Sequence, residues 1–332
     1  MTRYSDAPDA YHVPVLAEQT LRAAQLRPDE LAVDCTTGGG GHSALMLEQL
    51  GAGGTLLCID KDEDALQEAL PRLQALAETR GVRLAWGQAD FSQIEELLTA
   101  QALGKADVIL ADIGVSSHQL DESERGFSYM QDGPLDMRMD RSSGETAADL
   151  VNRRSQDELA AILRDYGEER YSKRIAERIV ARRQTEPFTR TVDLAEVIRQ
   201  ALPAQARREQ QHPAKRSFQA LRIAVNQELQ ALDDLLKAAP RCLNPGGRLL
   251  VISFHSLEDR RVKQAMRKWE DPCECPPALP CVCGKKPLGR ALGRSGYTAN
   301  EEELAENPRA RSARLRVFQF ADSTIESMGG VS

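Results

Sequence analysis

Several features of membrane and secreted proteins are missing from these 332 residues. The sequence has no run of about 18 apolar residues, so no membrane-spanning helix is predicted. The first residues, Met-Thr-Arg-Tyr-Ser-Asp, lack the apolar core of a signal peptide. We therefore expect a cytoplasmic protein whose seven cysteines are thiols or metal ligands rather than disulfides.

An excess of positive charge is also missing, because the formal net charge is −7. This balance alone argues against a nucleic-acid-binding protein, but the charges are unevenly distributed. Basic residues concentrate at 207–222, 285–294 and 309–316, with Glu209 as the one acid among them. Such clusters on an acidic protein indicate local contact with phosphates. A solvated mixed-charge surface explains any single cluster equally well.

The sequence also lacks internal repeats and the nucleophile elbow of a Ser–His–Asp hydrolase. Its four clustered cysteines, Cys273, Cys275, Cys281 and Cys283, lack the wider Cys-x-x-Cys spacing that structural zinc sites usually have. Four thiolates could still bind zinc, but we favour a reduced surface loop and predict no metal.

The strongest local signal is residues 33–43, Val-Asp-Cys-Thr-Thr-Gly-Gly-Gly-Gly-His-Ser. A short apolar run ends at Asp34, four glycines follow, and Ser43 opens an apolar helical stretch. This order is typical of a strand, a tight turn and a helix N-terminus. Glycines there let the backbone approach a ligand, which the free N–H groups of the helix start would face.

Alternating strands and helices follow, which predicts right-handed βαβ units in a parallel sheet. Four of the strands are expected at 31–35, 55–59, 82–86 and 107–111. Ligands bind at the carboxyl ends of such strands. The residues at those ends are Asp34, Asp60, Phe91 and Asp112, so we expect them to line one cleft.

The alternation then stops, and residues 145–240 have an almost entirely helical pattern. Strand signals return at 248–253 and 313–320. We therefore predict a sheet domain formed by residues 1–119 and 221–332, interrupted by a helical insert at 120–220 that recognises the substrate.

Two cofactors fit the glycine turn. Gly39-x-Gly41-x-x-Ala44 matches the dinucleotide fingerprint, with Asp60 near the expected distance downstream, so a nicotinamide-dependent oxidoreductase is one alternative. An acidic residue at Asp34 ahead of spaced glycines suits S-adenosylmethionine, whose amino group it would approach, and would repel a pyrophosphate. Asp60 would bind the ribose hydroxyls of either cofactor, unless it only caps a helix. Phe91 would pack on the adenine, unless it only fills the core.

The chain resembles the bacterial ribosomal RNA small subunit methyltransferase H family over about residues 12–316. Six ordered motifs carry the resemblance: DCTTGGGGHS, DIGVSSHQLDESERGFSYMQDGPLDMRMD, YGEERYSKRIA, HPAKRSFQALRIAVNQEL, PGGRLLVISFHSLEDRRVK and NPRARSARLRV. It implies an α/β fold, namely the Rossmann-like sheet of class I S-adenosylmethionine-dependent methyltransferases with an inserted helical domain. It also implies methylation of N4 of a cytidine in the decoding region of 16S rRNA, within the small ribosomal subunit.

The resemblance further implies cofactor contacts by seven residues: Gly40, Gly41, His42, Asp60, Phe91, Asp112 and Gln119. Asp112 is also the candidate catalytic group, because the N4 amine is a poor nucleophile and needs an acceptor for its proton. The stretch after Asp112 lacks the proline and stacking aromatic of many amino-methylating enzymes. Phe127 or Tyr129 could hold the base instead.

Two stretches are expected to line the substrate side, 212–216 and 253–260, with Lys215 and Arg216 on phosphates. For His255 and Ser256 we favour helix capping over catalysis. A non-catalytic RNA-binding assembly factor remains an alternative function, and the sequence leaves the oligomeric state open.

Overall fold

The computed structural model describes residues 14–208, 212–276, 280 and 282–322. The chain forms two compact units. The first contains the residues up to Gly114 together with those from Ala231 on, and the second is Val115–Gln230. The second unit therefore begins earlier and ends later than the 120–220 insert, and a boundary at 220/221 would cut through a helix at Lys215–Asn226.

The first unit is built on a seven-stranded sheet with the order β3-β2-β1-β4-β5-β7-β6. The strands are β1 Leu31–Asp34, β2 Thr55–Asp60, β3 Arg83–Gln88, β4 Ala106–Asp112, β5 Leu243–Ser253, β6 Gly289–Tyr297 and β7 Arg314–Phe320. β1 to β5 pair in parallel, whereas β7 runs antiparallel to both β5 and β6. This is the Rossmann-like sheet of class I methyltransferases, which confirms the predicted fold class.

Helices cover both faces of this sheet, which explains why its central strands are apolar on both sides. The helices that precede Gly114 in this unit are α1 Ala17–Ala24, α2 Gly41–Gln49, α3 Glu63–Arg80 and α4 Ile94–Ala100. One core contains Val33, Leu57 and Ile109, and the other contains the alternate residues Ala32, Leu56 and Leu110. Every helix in the described part of the chain is too short or too polar to cross a bilayer.

The second unit is helical and has its own apolar core. Its helices are α5 Ser117–Asp121, α6 Ala147–Arg153, α7 Gln156–Gly167, α8 Ser172–Arg183, α9 Thr191–Ala201 and α10 Lys215–Asn226. The chain then continues through α11 Glu228–Cys242, α12 Ser256–Glu270 and α13 Glu301–Glu306.

Strand β6 has no counterpart among the strands expected from the sequence. Its residues, Gly-Arg-Ala-Leu-Gly-Arg-Ser-Gly-Tyr, lie at the sheet edge and are mostly exposed or half-buried. An edge strand of this kind buries no regular apolar face, so it lacks the period-two pattern that identifies strands.

Candidate functional site

The turn after β1 is held to the neighbouring strands by backbone hydrogen bonds. Cys35 N–H donates to the Leu110 carbonyl at 2.8 Å, and Thr37 N–H donates to the Ile59 carbonyl at 2.9 Å. Asp112 N–H donates to Thr36 Oγ1 at 2.7 Å. These bonds place the glycine turn beside the carboxyl ends of β2 and β4, where a ligand is expected.

Asp34 is fully buried and accepts hydrogen bonds from residues of this turn and of α2. Its Oδ2 accepts a hydrogen bond from Ser43 Oγ at 2.6 Å, and its Oδ1 accepts one from Thr36 N–H at 3.2 Å. Burial raises the pKa of Asp34, although the bond from Ser43 opposes this shift. Asp34 therefore orders the turn, and its approach to the methionine amino group, directly or through water, stays a prediction.

Asp60, at the end of β2, reaches the same turn. Its Oδ2 accepts a hydrogen bond from Gly38 N–H at 2.7 Å, and its Oδ1 accepts one from Asp62 N–H at 2.8 Å. Burial raises the pKa of Asp60 to about 6. The residue that caps α3 is Asp62, so helix capping does not account for Asp60, and each of its oxygens keeps a lone pair for a further donor.

Gly40 and Gly41 are confined by packing as well as by conformation. Gly40 has a φ of +76°, and a Cβ there would lie 3.1 Å from Ala69 Cβ and from Arg72 Nη2. A Cβ on Gly41, the first residue of α2, would lie 3.2 Å from Pro14 Cβ. Side chains at either position would push the turn away from its neighbours. The glycines therefore bring α2 close to the strand ends.

His42, in the first turn of α2, faces Asp112 at the end of β4. Its Nε2 lies 3.5 Å from Asp112 Oδ2, and its side chain is only 6% exposed. Burial alone lowers the pKa of His42, but the Asp112 carboxylate, together with Asp34 and the Val15 backbone, outweighs it, so the net pKa lies above the ordinary value. Neither ring nitrogen of His42, nor Oδ1 of Asp112, has a well-formed hydrogen bond among the described residues.

Phe91 follows the end of β3 in a short 3-10 turn, Phe91–Gln93. Asp90 caps this turn by accepting from Ser92 N–H at 2.9 Å, and it also pairs with Lys61 at 3.2 Å. The Phe91 ring is half-buried against the sheet core. Both packing and adenine contact thus remain compatible with its position.

A further group of side chains lies where β5 ends and α12 begins. A Cβ on Gly114, two residues after Asp112, would lie 3.3 Å from Phe254 Cδ2. The fully buried Glu258 accepts from Phe254 N–H at 2.9 Å, and its Oε1 lies 2.9 Å from His255 Nε2. His255 is the N-cap residue of α12, as expected from the sequence, and Glu258 completes its capping box. Our sequence interpretation missed this role of Glu258, and it missed Phe254 as an aromatic beside the β4 tip.

In the second unit, Gln119 is 96% buried and its carbonyl oxygen caps α5. Gln119 Oε1 accepts from Ser116 N–H at 3.0 Å, and Gln119 N–H donates to Ser116 Oγ at 3.1 Å. This capping box accounts for its burial. A contact with the cofactor stays a prediction.

The other substrate candidates in the second unit fall into two classes. Phe127 is 6% exposed in the core of the unit, so it cannot hold a base. Tyr129 is half-buried and stacks on His212 with ring centroids 4.5 Å apart. Lys215 and Arg216 begin α10, are exposed, and have no acidic partner within the described part of the chain.

The chain was then compared with known proteins. Residues 9–321 match the profile of the MraW methylase family. Ribosomal RNA small subunit methyltransferase H of Symbiobacterium thermophilum is 51% identical over 307 residues, covering 92% of this chain and 95% of the relative. The protein of the same name from Heliobacterium mobile is 51% identical over 311 residues, covering 93% and 98%.

A solved rRNA methylase from Streptococcus thermophilus covers 92% of this chain and 95% of its own at 9% identity, but its TM-score of 0.40 is too low to support an argument. The family match confirms the resemblance seen in the sequence and removes the nicotinamide alternative. Because the profile spans nearly the whole chain and the relatives share half of its residues, this protein belongs to the MraW methylase family and is an S-adenosylmethionine-dependent methyltransferase.

Proposed function

We propose that this enzyme methylates the exocyclic N4 of a cytidine in the decoding region of 16S rRNA, in the small ribosomal subunit. The names of relatives at 46–51% identity support a small-subunit ribosomal RNA substrate. The choice of N4 and of a cytidine rests on the family resemblance. Because ribosomal subunits are the substrate, we propose the cytoplasm as its location.

The residues of the first unit fit S-adenosylmethionine. Asp60 presents carboxylate lone pairs at the end of β2 for the two ribose hydroxyls. The first turn of α2, from Gly41, has free N–H groups suited to the carboxylate of the methionine part. The buried Oδ1 of Asp112, which has no hydrogen-bond partner among the described residues, is an atom that a bound ligand would satisfy. When bound, S-adenosylmethionine supplies an electrophilic methyl group on a sulfonium.

The observation that carries the proposal is the unpartnered carboxylate oxygen of Asp112. The lone pair of the cytosine amine is delocalised into the ring, which makes the amine a poor nucleophile. A nearby acceptor must therefore take the proton of the amine as nitrogen bonds to the methyl carbon. Asp112 Oδ1 is buried without a partner among the described residues, while Oδ2 faces His42. A protonated His42 orients the carboxylate through Oδ2, so that Oδ1 can accept an N–H of the amine.

Aromatic and basic side chains support a single-stranded or unstacked RNA target. Phe254 lies over Gly114 beside the Asp112 strand end, where it could stack on the cytosine. In the second unit, the Tyr129–His212 stack and the cations Lys215 and Arg216 combine a base-stacking surface with phosphate contacts. Two cations in the first turn of α10 oppose the helix dipole, which favours a binding role for them.

The test is transfer of a labelled methyl group to small-subunit RNA, followed by nucleoside analysis. We expect N4-methylcytidine from the wild type, and a rate about 10²- to 10⁴-fold lower from Asp112→Asn. Asp234→Asn, which removes an exposed carboxylate paired with Lys237, is the matched control and should retain full activity. Label in 5-methylcytidine, or full activity of Asp112→Asn, would refute the assignment. A wild type that binds RNA and S-adenosylmethionine but transfers no methyl group would instead support the non-catalytic assembly factor.

A further inference from the structure

Three cysteines come together in the segment that connects α12 to β6. The Sγ atoms of Cys273, Cys275 and Cys283 all lie within 4.8 Å of one another. The Sγ atoms of Cys273 and Cys283 are 3.8 Å apart. Cys281, the remaining cysteine of this stretch, lies outside the described residues.

These thiols differ from the other cysteines of the chain. Cys35, Cys58 and Cys242 are buried in the sheet cores, and burial raises the pKa of Cys58 to about 12 and that of Cys242 to about 11. Such thiols behave as small apolar side chains. Cys273, by contrast, is exposed and its two neighbours are half-exposed, so apolar burial does not explain why the three converge.

The separation between Cys273 and Cys283 is that of two ligands around one tetrahedral metal ion. A Zn–S bond of about 2.3 Å places two sulfur ligands about 3.8 Å apart at the tetrahedral angle. The Cys273–Cys283 separation of 3.8 Å equals this distance and is far longer than a disulfide bond of about 2.05 Å. The sequence left a zinc site open but favoured a reduced loop, because the four cysteines lack the Cys-x-x-Cys spacing usual for structural zinc sites.

The surroundings suit thiolate ligands. Val282 N–H donates to Cys275 Sγ at 3.4 Å, which stabilises negative charge on the sulfur. Lys285 pairs with Glu274 at 2.5 Å and also lies close enough to Cys273 and Cys283 to interact with their charges. Three thiolates around a divalent ion leave one net negative charge, and the Lys285 ammonium, which also pairs with Glu274, lies near it.

We propose that Cys273, Cys275 and Cys283 bind one zinc ion that holds the segment between α12 and β6 in place. On binding, three S–H bonds break, three Zn–S bonds form, and three protons pass to solvent, with no change in oxidation state. The fourth position is left to water or a further donor. This site is separate from the methyl-transfer chemistry, so it stands or falls independently of the proposed function.

The first test is the metal content of full-length protein purified without chelators. We expect about one zinc per chain in the wild type and loss of that zinc from Cys273→Ser/Cys283→Ser. The control is Cys242→Ala, which removes a buried thiol and should keep the metal. A wild type without stoichiometric zinc, or a double variant that keeps its zinc, would overturn the proposal.

A second measurement covers the case in which the double variant fails to fold. Wild-type protein stripped of metal and loaded with Co²⁺ should show sulfur-to-cobalt charge transfer and the strong visible bands of tetrahedral coordination. Mass spectrometry under non-reducing conditions tests the competing role of these thiols. A Cys273–Cys283 disulfide in the freshly purified protein, or an octahedral cobalt spectrum, would refute the zinc site.

Discussion

His42 Nε2 lies 3.5 Å from Asp112 Oδ2, across the gap between the glycine turn and the end of β4. His42 is nearly buried and Asp112 is half-buried, and the Asp112 carboxylate favours the charged form of His42. The pair links the cofactor side of the site to the group that we propose accepts the proton of the cytosine amine. Its titration is therefore the most direct measure of the electrostatics of the site.

The first prediction concerns this pair. The pKa of His42 lies above 6.5 in the wild type because the Asp112 carboxylate, with smaller contributions from Asp34 and the Val15 backbone, outweighs burial. In Asp112→Asn the largest opposition to burial is lost, so the pKa should fall relative to the wild type. The sequence contains five histidines, so the titration of His42 can be followed by NMR. An unchanged pKa in Asp112→Asn would contradict the pairing.

The same pair has a signature in stability. A histidine with a raised pKa in the folded protein contributes stability that is present below its unfolded pKa and is lost as the pH rises through its folded pKa. The wild type should therefore lose free energy of unfolding in the interval above pH 6.5. Asp112→Asn should lack this loss, which urea unfolding at a series of pH values would show.

The second prediction concerns cofactor binding through Asp60. Burial raises the pKa of Asp60 to about 6, and ribose hydroxyls donate to its ionised form. The affinity for S-adenosylmethionine should therefore fall below pH 6, by up to about tenfold per pH unit. His42, with a pKa above 6.5, stays protonated over this interval. Asp60→Asn should bind more weakly at neutral pH and without that dependence, which calorimetry would measure; a flat wild-type profile would exclude the role.

Without cofactor, the stability contributed by Asp60 changes with pH in the direction opposite to the cofactor affinity. An acid with a raised folded pKa contributes stability that is present below the unfolded value, 3.8, and is lost as the pH rises through the folded value, about 6. Ionised Asp60 thus costs stability at neutral pH, as is common for groups at binding sites.

The third prediction separates the cost of a positive φ from the cost of close packing in the glycine turn. Gly40 and Gly53 both have a positive φ, +76° and +91°, but a Cβ on Gly53 would meet nothing within 4 Å. Gly53→Ala should cost about 1–2 kcal/mol of the free energy of unfolding, from conformation alone. Gly40→Ala should cost a further 1–3 kcal/mol or so, because its Cβ would crowd Ala69 and Leu73. Equal costs in urea unfolding would show that packing against α3 does not constrain the turn.

The fourth prediction concerns phosphate contacts. Removing two phosphate contacts to single-stranded RNA should reduce the slope of log affinity against log salt by about 1.4. We expect this from Lys215→Ala/Arg216→Ala in RNA-binding titrations. The control is Arg164→Ala/Arg199→Ala, which removes two exposed arginines already paired with Asp165 and Glu196. If both double variants change the slope equally, the effect is one of general charge.

The fifth prediction concerns the stacked pair in the second unit. Tyr129→Ala should weaken RNA binding by about 1–3 kcal/mol, the usual worth of one base–aromatic stack. Tyr129→Phe keeps the ring against His212 and should bind as the wild type does. Equal weakening by both variants would assign the effect to the Tyr129 hydroxyl rather than to stacking.

Much of the first unit followed from local pattern. The four strands that carry the strand-end residues, and the turn at 38–41, were expected within a residue or two of their observed positions. They are predictable because a buried parallel strand must be apolar and a tight turn needs glycine. Ordered motifs also identified the family from the sequence alone, and the family implies the cofactor and the reaction class.

The tertiary structure decided which atoms meet. Asp34 and Asp60 both stand at the ends of neighbouring strands. The buried Asp34 carboxylate accepts its hydrogen bonds inside the turn, whereas Asp60 is partly exposed beside it. Phe254 lies close to Gly114, and Cys283 lies close to Cys273. The periodicity of the sequence does not predict either contact, because the partners are not neighbours in the chain. A sequence pattern records whether a residue is buried or turns the chain, because both are local properties. Which acceptor keeps a lone pair, and which thiols share a site, depends on close approach between distant segments, and this is set only when the whole chain has packed.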